Sequence, residues 1–372
     1  MNEHDDLFDK NSSYSTEQYY LNNQKHDNFN NDFYEKAINY RHNGLLIAIY
    51  IAVQLLVAFI AGVIISSQYT YLDDAIEDVQ IINDINYIVY DNINSETNEI
   101  DEINPFRINL KGKLINNSEY VIPVLSIKVE FFDEDGKSLG IQILSKDNFG
   151  VNQTYEIDEI LYSSVKPYSI KREISAQPPT ILNVIIQLVY ATIVAVLFFI
   201  VDKASFKQDA KLFKIDPKRH TTSIFIGFIL LYAAMIFANI IMEILGVTQT
   251  SNNEMIIRSL FSSNPINLGL LFLMTVVTVP IVEEVVFRKA LFGLIEPKTN
   301  HIVAIILSGA IFAFMHIQGD YIQMIPYTAM GIVLGYSYWK SGRNIYVSIG
   351  VHMLNNFVSW LLYVFMVYGI VF

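Results

Sequence analysis

The chain has 372 residues, 52% of them hydrophobic and 17% charged, with a formal net charge of −12. Soluble domains carry about a quarter of their residues as charged side chains, so the polar surface is too small for a soluble particle of this length. The absence of cysteine excludes disulfides and thiolate chemistry, and the acidic balance argues against nucleic acid as a partner.

Residues 1–43 hold 8 acidic and 4 basic residues among many Asn and Tyr, with no apolar period. They are expected to form a disordered cytoplasmic tail. Leu45–Ile65 is long enough to cross the hydrocarbon core and lacks the basic start and small-residue cleavage site of a signal peptide. Residues 44–67 therefore read as a retained membrane anchor. The next segment, 68–180, carries 20 acidic and 9 basic residues. Leu72, Ile76, Val79, Ile82, Ile85 and Val89 recur with a helical period, which predicts a stalk helix extending the first span. From Phe106 the period becomes two, through Phe106, Ile108 and Leu110 and then Leu125, Ile127, Val129 and Phe131. Asp133-Glu134-Asp135-Gly136 supplies a turn before Leu139–Leu144, so a small antiparallel β-sandwich is predicted, without any cluster of acids, bases or ligands. The stretches Gly112–Asn117 and Phe131–Gly136 resemble the FxLYD-type bacterial surface domain.

Ile181–Val201 and Ile224–Leu245 are two further spans, and apolar runs fill Asn267–Ile295, Ile302–His316, Ile322–Trp339 and Ile345–Phe372. Seven spans are expected in all, forming an α-helical polytopic membrane bundle with the β-sandwich inserted after the first. Lys203, Lys207, Lys211, Lys214, Lys218 and Arg219 fill the loop 202–220, and Lys298, Lys340 and Arg343 sit in later loops on the same side. The alternate loops hold Arg258 alone in 246–265 and nothing in 317–321. By the positive-inside rule the N-terminus is cytoplasmic, while 68–180 and the C-terminus are extracytoplasmic. Residues 181–219 are the second span with its basic loop, and 220–372 are the core that carries the chemistry.

An ionisable side chain at the centre of a span costs on the order of 2.5–3.5 kcal/mol, so those retained there are candidates for function. Glu284 and Arg288 are spaced i,i+4, share a helix face and can neutralise each other. Glu283 points about 100° away and lacks that partner, which suits a general base. The bland reading puts both glutamates at an aqueous interface, and Lys289 lends it weight, since a lysine there would snorkel to water. His316 follows Phe312 by one turn, and His352 and Asn356 share a face. Counted from the turns at the basic end, Glu283 and Asn356 lie roughly 18 Å deep, His316 roughly 22 Å and His352 roughly 12 Å. The four can meet near one depth, and Pro280 can kink the helix to open space beside Glu283.

Glu283-Glu284-x-x-x-Arg288, Phe312-x-x-x-His316 and His352-x-x-x-Asn356, in this order over residues 220–372, resemble the motifs of the CAAX-protease and bacteriocin-processing (CPBP, or Abi) intramembrane endopeptidases. Lys289 departs from that pattern, which commonly has glycine there. The resemblance implies that Glu283 and His316 activate a water, that His352 and Asn356 stabilise the oxyanion of amide hydrolysis, and that Glu284 and Arg288 form a supporting ion pair. Glu283, His316 and His352 could instead ligate zinc with an open water position, although no His-Glu-x-x-His signature is present. The substrate implied is a membrane-associated peptide or protein within the lipid bilayer, and the Asn- and Ile-rich composition points to a bacterial cell membrane. The competing reading is a non-catalytic scaffold or sensor that binds an extracytoplasmic protein partner through residues 100–175. A transporter would predict internal repeats, which the chain lacks.

Overall fold

The computed structural model describes residues 40–93, 99–100, 105–163, 165–245, 252–261, 264–317 and 321–370. Most of the expected disordered tail, residues 1–39, lies outside them. Helix α1 (Tyr40–Gln68) is apolar along nearly its whole length and around its whole circumference, with Leu55 and Phe59 among its exposed side chains. Among the described residues five helices are long and apolar enough to cross a bilayer: α1, α3 (Thr180–Val201), α5 (Pro217–Ile244), α7 (Pro265–Lys298) and α10 (Ile345–Val367). Their exposed faces carry side chains such as Ile229, Phe237 and Ile244, a surface stable only against lipid. The chain is a multi-pass membrane protein.

The other two apolar runs become α8 (His301–Phe314) and α9 (Met324–Lys340), of 14 and 17 residues. Both are shorter than the roughly 20 residues that a full crossing needs. They pack against each other along a seam of small residues, where a Cβ on Gly331 would lie 2.7 Å from the Gly309 Cα. Glycine at both positions is what lets the two backbones touch.

Between α1 and α3 the chain folds as two three-stranded antiparallel sheets. One has the order β1-β2-β5, from Val79–Asp91, Phe106–Asn116 and Thr154–Ser163; the other, β4-β3-β6, comes from Ser138–Phe149, Ile122–Phe132 and Ser169–Gln177. Ile85, Ile108, Leu110, Leu125, Ile127, Val129 and Ile157 from both sheets share one buried core, so the predicted sandwich is present. The predicted stalk is not. Its helix, α2, covers only Tyr71–Glu77, and Val79 opens strand β1. The period along β1 is two, with Ile85 buried and Tyr87 and Val89 packed beside it. Ile81 and Ile82 stay exposed near a register shift, and their spacing mimics a helical repeat.

Two further elements were not anticipated. The basic loop contains helix α4 (Lys203–Ile215), whose Phe206, Asp209 and Leu212 face inward. A short helix α6 (Asn252–Ser259) lies against β4, at the end of the bundle that carries the sandwich. The main membrane core draws on Leu46, Val194, Phe198, Phe206, Leu231, Val285, Phe287, Phe312, Leu334 and Val351. Helix α1 is thus more than an anchor: Asn43 fills the space that Gly293 of α7 leaves by lacking a Cβ.

Candidate active site

Helix α7 carries the glutamate pair, and its winding is irregular around them. Pro265–Leu271 is α-helical, Phe272–Thr278 is π-helical, Val279–Glu284 returns to α, and Val285–Leu291 is π-helical again. Pro280 helps account for the first irregularity. In the π pattern the Val279 amide donates to the Met274 carbonyl, and the Thr275 carbonyl would next take the amide of residue 280. Proline has none. Asn356 of α10 supplies the missing donor, its Nδ2 lying 2.9 Å from the Thr275 oxygen, while Asn355 Nδ2 donates to Asn356 Oδ1 at 3.1 Å.

Glu284 and Arg288 are both fully buried, with Oε1 and Nη1 3.2 Å apart, as their spacing predicts. The guanidinium lies 4.7 Å from the centroid of the Phe312 ring, and its Nη2 donates to the Gly331 carbonyl at 3.2 Å. The close α8–α9 seam brings that carbonyl within reach. Glu284 has a second role, which spacing alone did not suggest. Its Oε1 also accepts from His352 Nδ1 at 2.9 Å. That bond fixes the ring and turns Nε2 toward Glu283.

Glu283 faces two imidazoles. Its Oε1 is 3.6 Å from His316 Nε2 and its Oε2 is 3.8 Å from His352 Nε2. His316 lies in the turn just beyond the end of α8, not within a helix. Its Nδ1 donates to the Phe312 carbonyl at 2.7 Å, and its ring is held between Phe312 and Tyr327, with centroid distances of 4.2 and 5.2 Å. The Tyr327 hydroxyl accepts from Asn253 Nδ2 of α6 at 3.2 Å. Both histidines therefore have Nδ1 engaged and Nε2 directed at one carboxylate, which keeps 17% of its side-chain surface exposed.

Glu283, His316 and His352 come together as predicted. Asn356 does not join them by hydrogen bond among the described residues; its amide is aimed at the α7 backbone. If that is its main task, Asn356→Ala leaves a partly buried carbonyl unpaired and lowers stability by about 1 kcal/mol. Pro280→Ala restores an N–H for the same carbonyl, so the double variant is expected to melt closer to wild type than Asn356→Ala alone. Equal melting of the single and the double variant would detach Asn356 from this carbonyl.

Lys289 does not mark an aqueous interface. It is buried, pairs with Asp202 Oδ2 at 2.8 Å, donates to Ser205 Oγ and lies over the Phe206 ring. Its partners come from α4 and the residue preceding it, so neither local spacing nor the motif could reveal them. As for zinc, each imidazole nitrogen faces a different oxygen of the same carboxylate, and no group of three His, Cys, Asp or Glu among the described residues has a metal-holding arrangement.

Residues 265–358 match a family model described as "Type II CAAX prenyl endopeptidase Rce1-like". Over 132 residues the chain is 33% identical to the Bacillus subtilis (strain 168) protein named "Putative membrane peptidase YdiL". That match covers 35% of this chain and 51% of the relative, so the chain spans about half the length of the curated protein it matches. No solved structure matches. The segment that holds Glu283, His316, His352 and Asn356 thus carries an Rce1-like domain, and the CPBP resemblance read from the three motifs holds there.

Proposed function

We propose that the chain is an intramembrane endopeptidase that hydrolyses peptide bonds of membrane-associated peptides or proteins with a water activated at Glu283. The supporting observation is one carboxylate facing two imidazole Nε2 atoms at 3.6 and 3.8 Å beside the apolar core of the helical bundle. A water held beside Glu283 and His316 gives one proton to Glu283 as its oxygen bonds to the scissile carbonyl carbon. His352, held at Nδ1 by the Glu284 carboxylate, turns Nε2 toward the oxyanion as its donor. Asn356 sits one turn along the same helix and keeps a second amide hydrogen for that oxyanion. Collapse of the tetrahedral intermediate breaks the C–N bond, and the proton held by Glu283 and His316 passes to the leaving amine. A single well-placed oxyanion donor contributes about 10²–10³ in rate.

The basic ends of α3, α7 and α9 face the cytoplasm in this reading, and the sandwich and the C-terminus lie across the bilayer. The short α8 and α9 form a hairpin of part-depth helices held within the protein, so five helices span the bilayer in this reading and α8 and α9 replace the other two expected spans. The identity of the substrate beyond its membrane association is left to experiment, because no residue in the site marks a prenyl group.

The test is cleavage of membrane-inserted reporter peptides by the purified full chain in water enriched in ¹⁸O, before and after dialysis against a chelator. One label in each new carboxyl group, at a rate the chelator does not change, is the expected result. No hydrolysis by the full chain would overturn the peptidase reading, and loss of activity restored by zinc would overturn the metal-free step.

The same assay assigns the sandwich. Its strands run from Val79 to Gln177, so a deletion starting at residue 100 would strand β1 and expose Ile85. Replacing 79–177 with a flexible linker is expected to leave generic cleavage intact at little entropic cost. A cleft of about 490 Å³ lined by Ile141, Tyr162, Arg258 and Phe261, among others, lies between the sandwich and α6, and it favours a recognition role for the domain. Loss of all cleavage in a normally melting variant would make the sandwich part of the catalytic machinery.

A further inference from the structure

Helix α4 has two unlike faces. Lys203, Lys207, Lys211 and Lys214 recur at helical spacing along its exposed side, and Lys218 and Arg219 extend the basic stripe into the start of α5. The carboxylates nearby are engaged elsewhere: Asp202 and Asp209 are buried, and Asp216 caps α5 by accepting from the Arg219 amide at 3.1 Å. The inner face is tied to both helices that carry the proposed catalytic groups. Toward α7, Asp202 and Ser205 hold Lys289, the residue after Arg288, and Phe206 lies under its ammonium. Toward α10, the Asp209 carbonyl accepts from Asn344 Nδ2 at 2.9 Å and its carboxylate from the Ile345 amide at 3.3 Å.

We propose that the exposed face of α4 docks on anionic lipid headgroups, and that this docking clamps α7 and α10 in register. Placement and charge carry the inference. Two bilayer-length helices, α3 and α5, flank α4 directly, which puts α4 at the end of the bundle where those helices would leave the membrane. Amphipathic helices with lysine-rich outer faces bind there through headgroup charge. Lys298 and Lys340, exposed at the ends of α7 and α9, lie at the same end, which the Glu296–Arg343 bidentate pair also closes. A headgroup layer of negative charge relieves the repulsion within this cationic rim and presses α4 onto the helices beneath it. The distance it would hold is the 2.9 Å Glu284–His352 contact between α7 and α10.

The experiment compares thermal melting of the full chain in nanodiscs of phosphatidylcholine alone and of phosphatidylcholine with phosphatidylglycerol. The anionic discs are expected to raise the midpoint by about 5 °C. Lys203→Gln, Lys207→Gln, Lys214→Gln and Lys218→Gln together should remove that increment and leave the midpoint in neutral discs unchanged. The matching four Lys→Arg changes should preserve it. Identical wild-type melting in the two lipids would overturn the proposal, as would a full increment in the glutamine variant. A glutamine variant already unstable in neutral discs would show that these lysines serve internal packing and would also overturn it. Inorganic phosphate added to neutral discs should give no shift, and a shift equal to that of the lipid would assign the face to free anions. A cleavage arm, which rests on the peptidase reading, should show faster turnover in anionic discs for wild type only. Absence of cleavage in every disc would count against that reading and leave the melting result to judge the docking.

Discussion

Replacement of Glu283 by Gln is expected to lower peptide cleavage by about 10³-fold or more while the protein still inserts and melts as wild type does. The amide keeps the size and hydrogen-bonding reach of the side chain but cannot take a proton from water. His316→Ala should fall by a similar factor, because it empties one side of the gap proposed to hold the water. The double variant should be little worse than either single, since groups that act on one water fail as a unit. Assays on detergent-purified protein, with melting curves alongside, give the readout. Undiminished cleavage by Glu283→Gln would remove Glu283 from the chemistry and leave the two imidazoles without a base to serve.

The second large effect is on stability. Glu284 and Arg288 are fully buried and compensate each other. Arg288→Leu strands a carboxylate in the bundle, and Glu284→Gln strands a guanidinium. Each is expected to cost about 3–5 kcal/mol. The double change removes both charges together and should recover much of that loss. Glu284 has the further task of accepting from His352, and a glutamine oxygen can still accept there but carries no charge. The double variant should therefore melt well and cleave poorly, which separates the packing role of the pair from its support of His352. Single variants that melt like wild type would refute the pairing.

What could be read from the sequence follows the range of the interactions involved. Glu284 with Arg288, and His352 with Asn356, are one turn apart on one helix, so spacing alone placed each pair on a common face. That Glu283 would meet His316 and His352 followed from depth, because apolar helices of similar length bring their interiors to one level. The contacts that depend on which helices are neighbours were out of reach. Lys289 reaches back to Asp202, Glu284 reaches across to His352, and Asn356 turns away to serve Thr275. Short or broken elements misled in a different way. Ile82 and Ile85 fall at helical spacing in a strand with register shifts, and a run that reads as one apolar span ends at Phe314, leaving His316 in a turn. Helix α4 was hidden by its own lysines, since only three of its side chains are buried.

The π-wound stretches of α7 bear on how this chain can vary over evolutionary time. Relative to an α-helix, each π turn absorbs one extra residue without lengthening the path to the next turn. The glutamate pair sits between two such stretches, so its azimuth is decoupled from both flanks. Loss of one residue within Phe272–Thr278 is taken up when the stretch rewinds as α, whereas loss of one from a regular α turn rotates everything after it by about 100° against the half that precedes it. After such a rotation Leu268 and Leu271 could face the interior, or Glu283 could, but not both. A single-codon deletion is therefore tolerable inside the π-wound stretch, whereas the same deletion in a regular turn of α7 swings the carboxylate away from its partners.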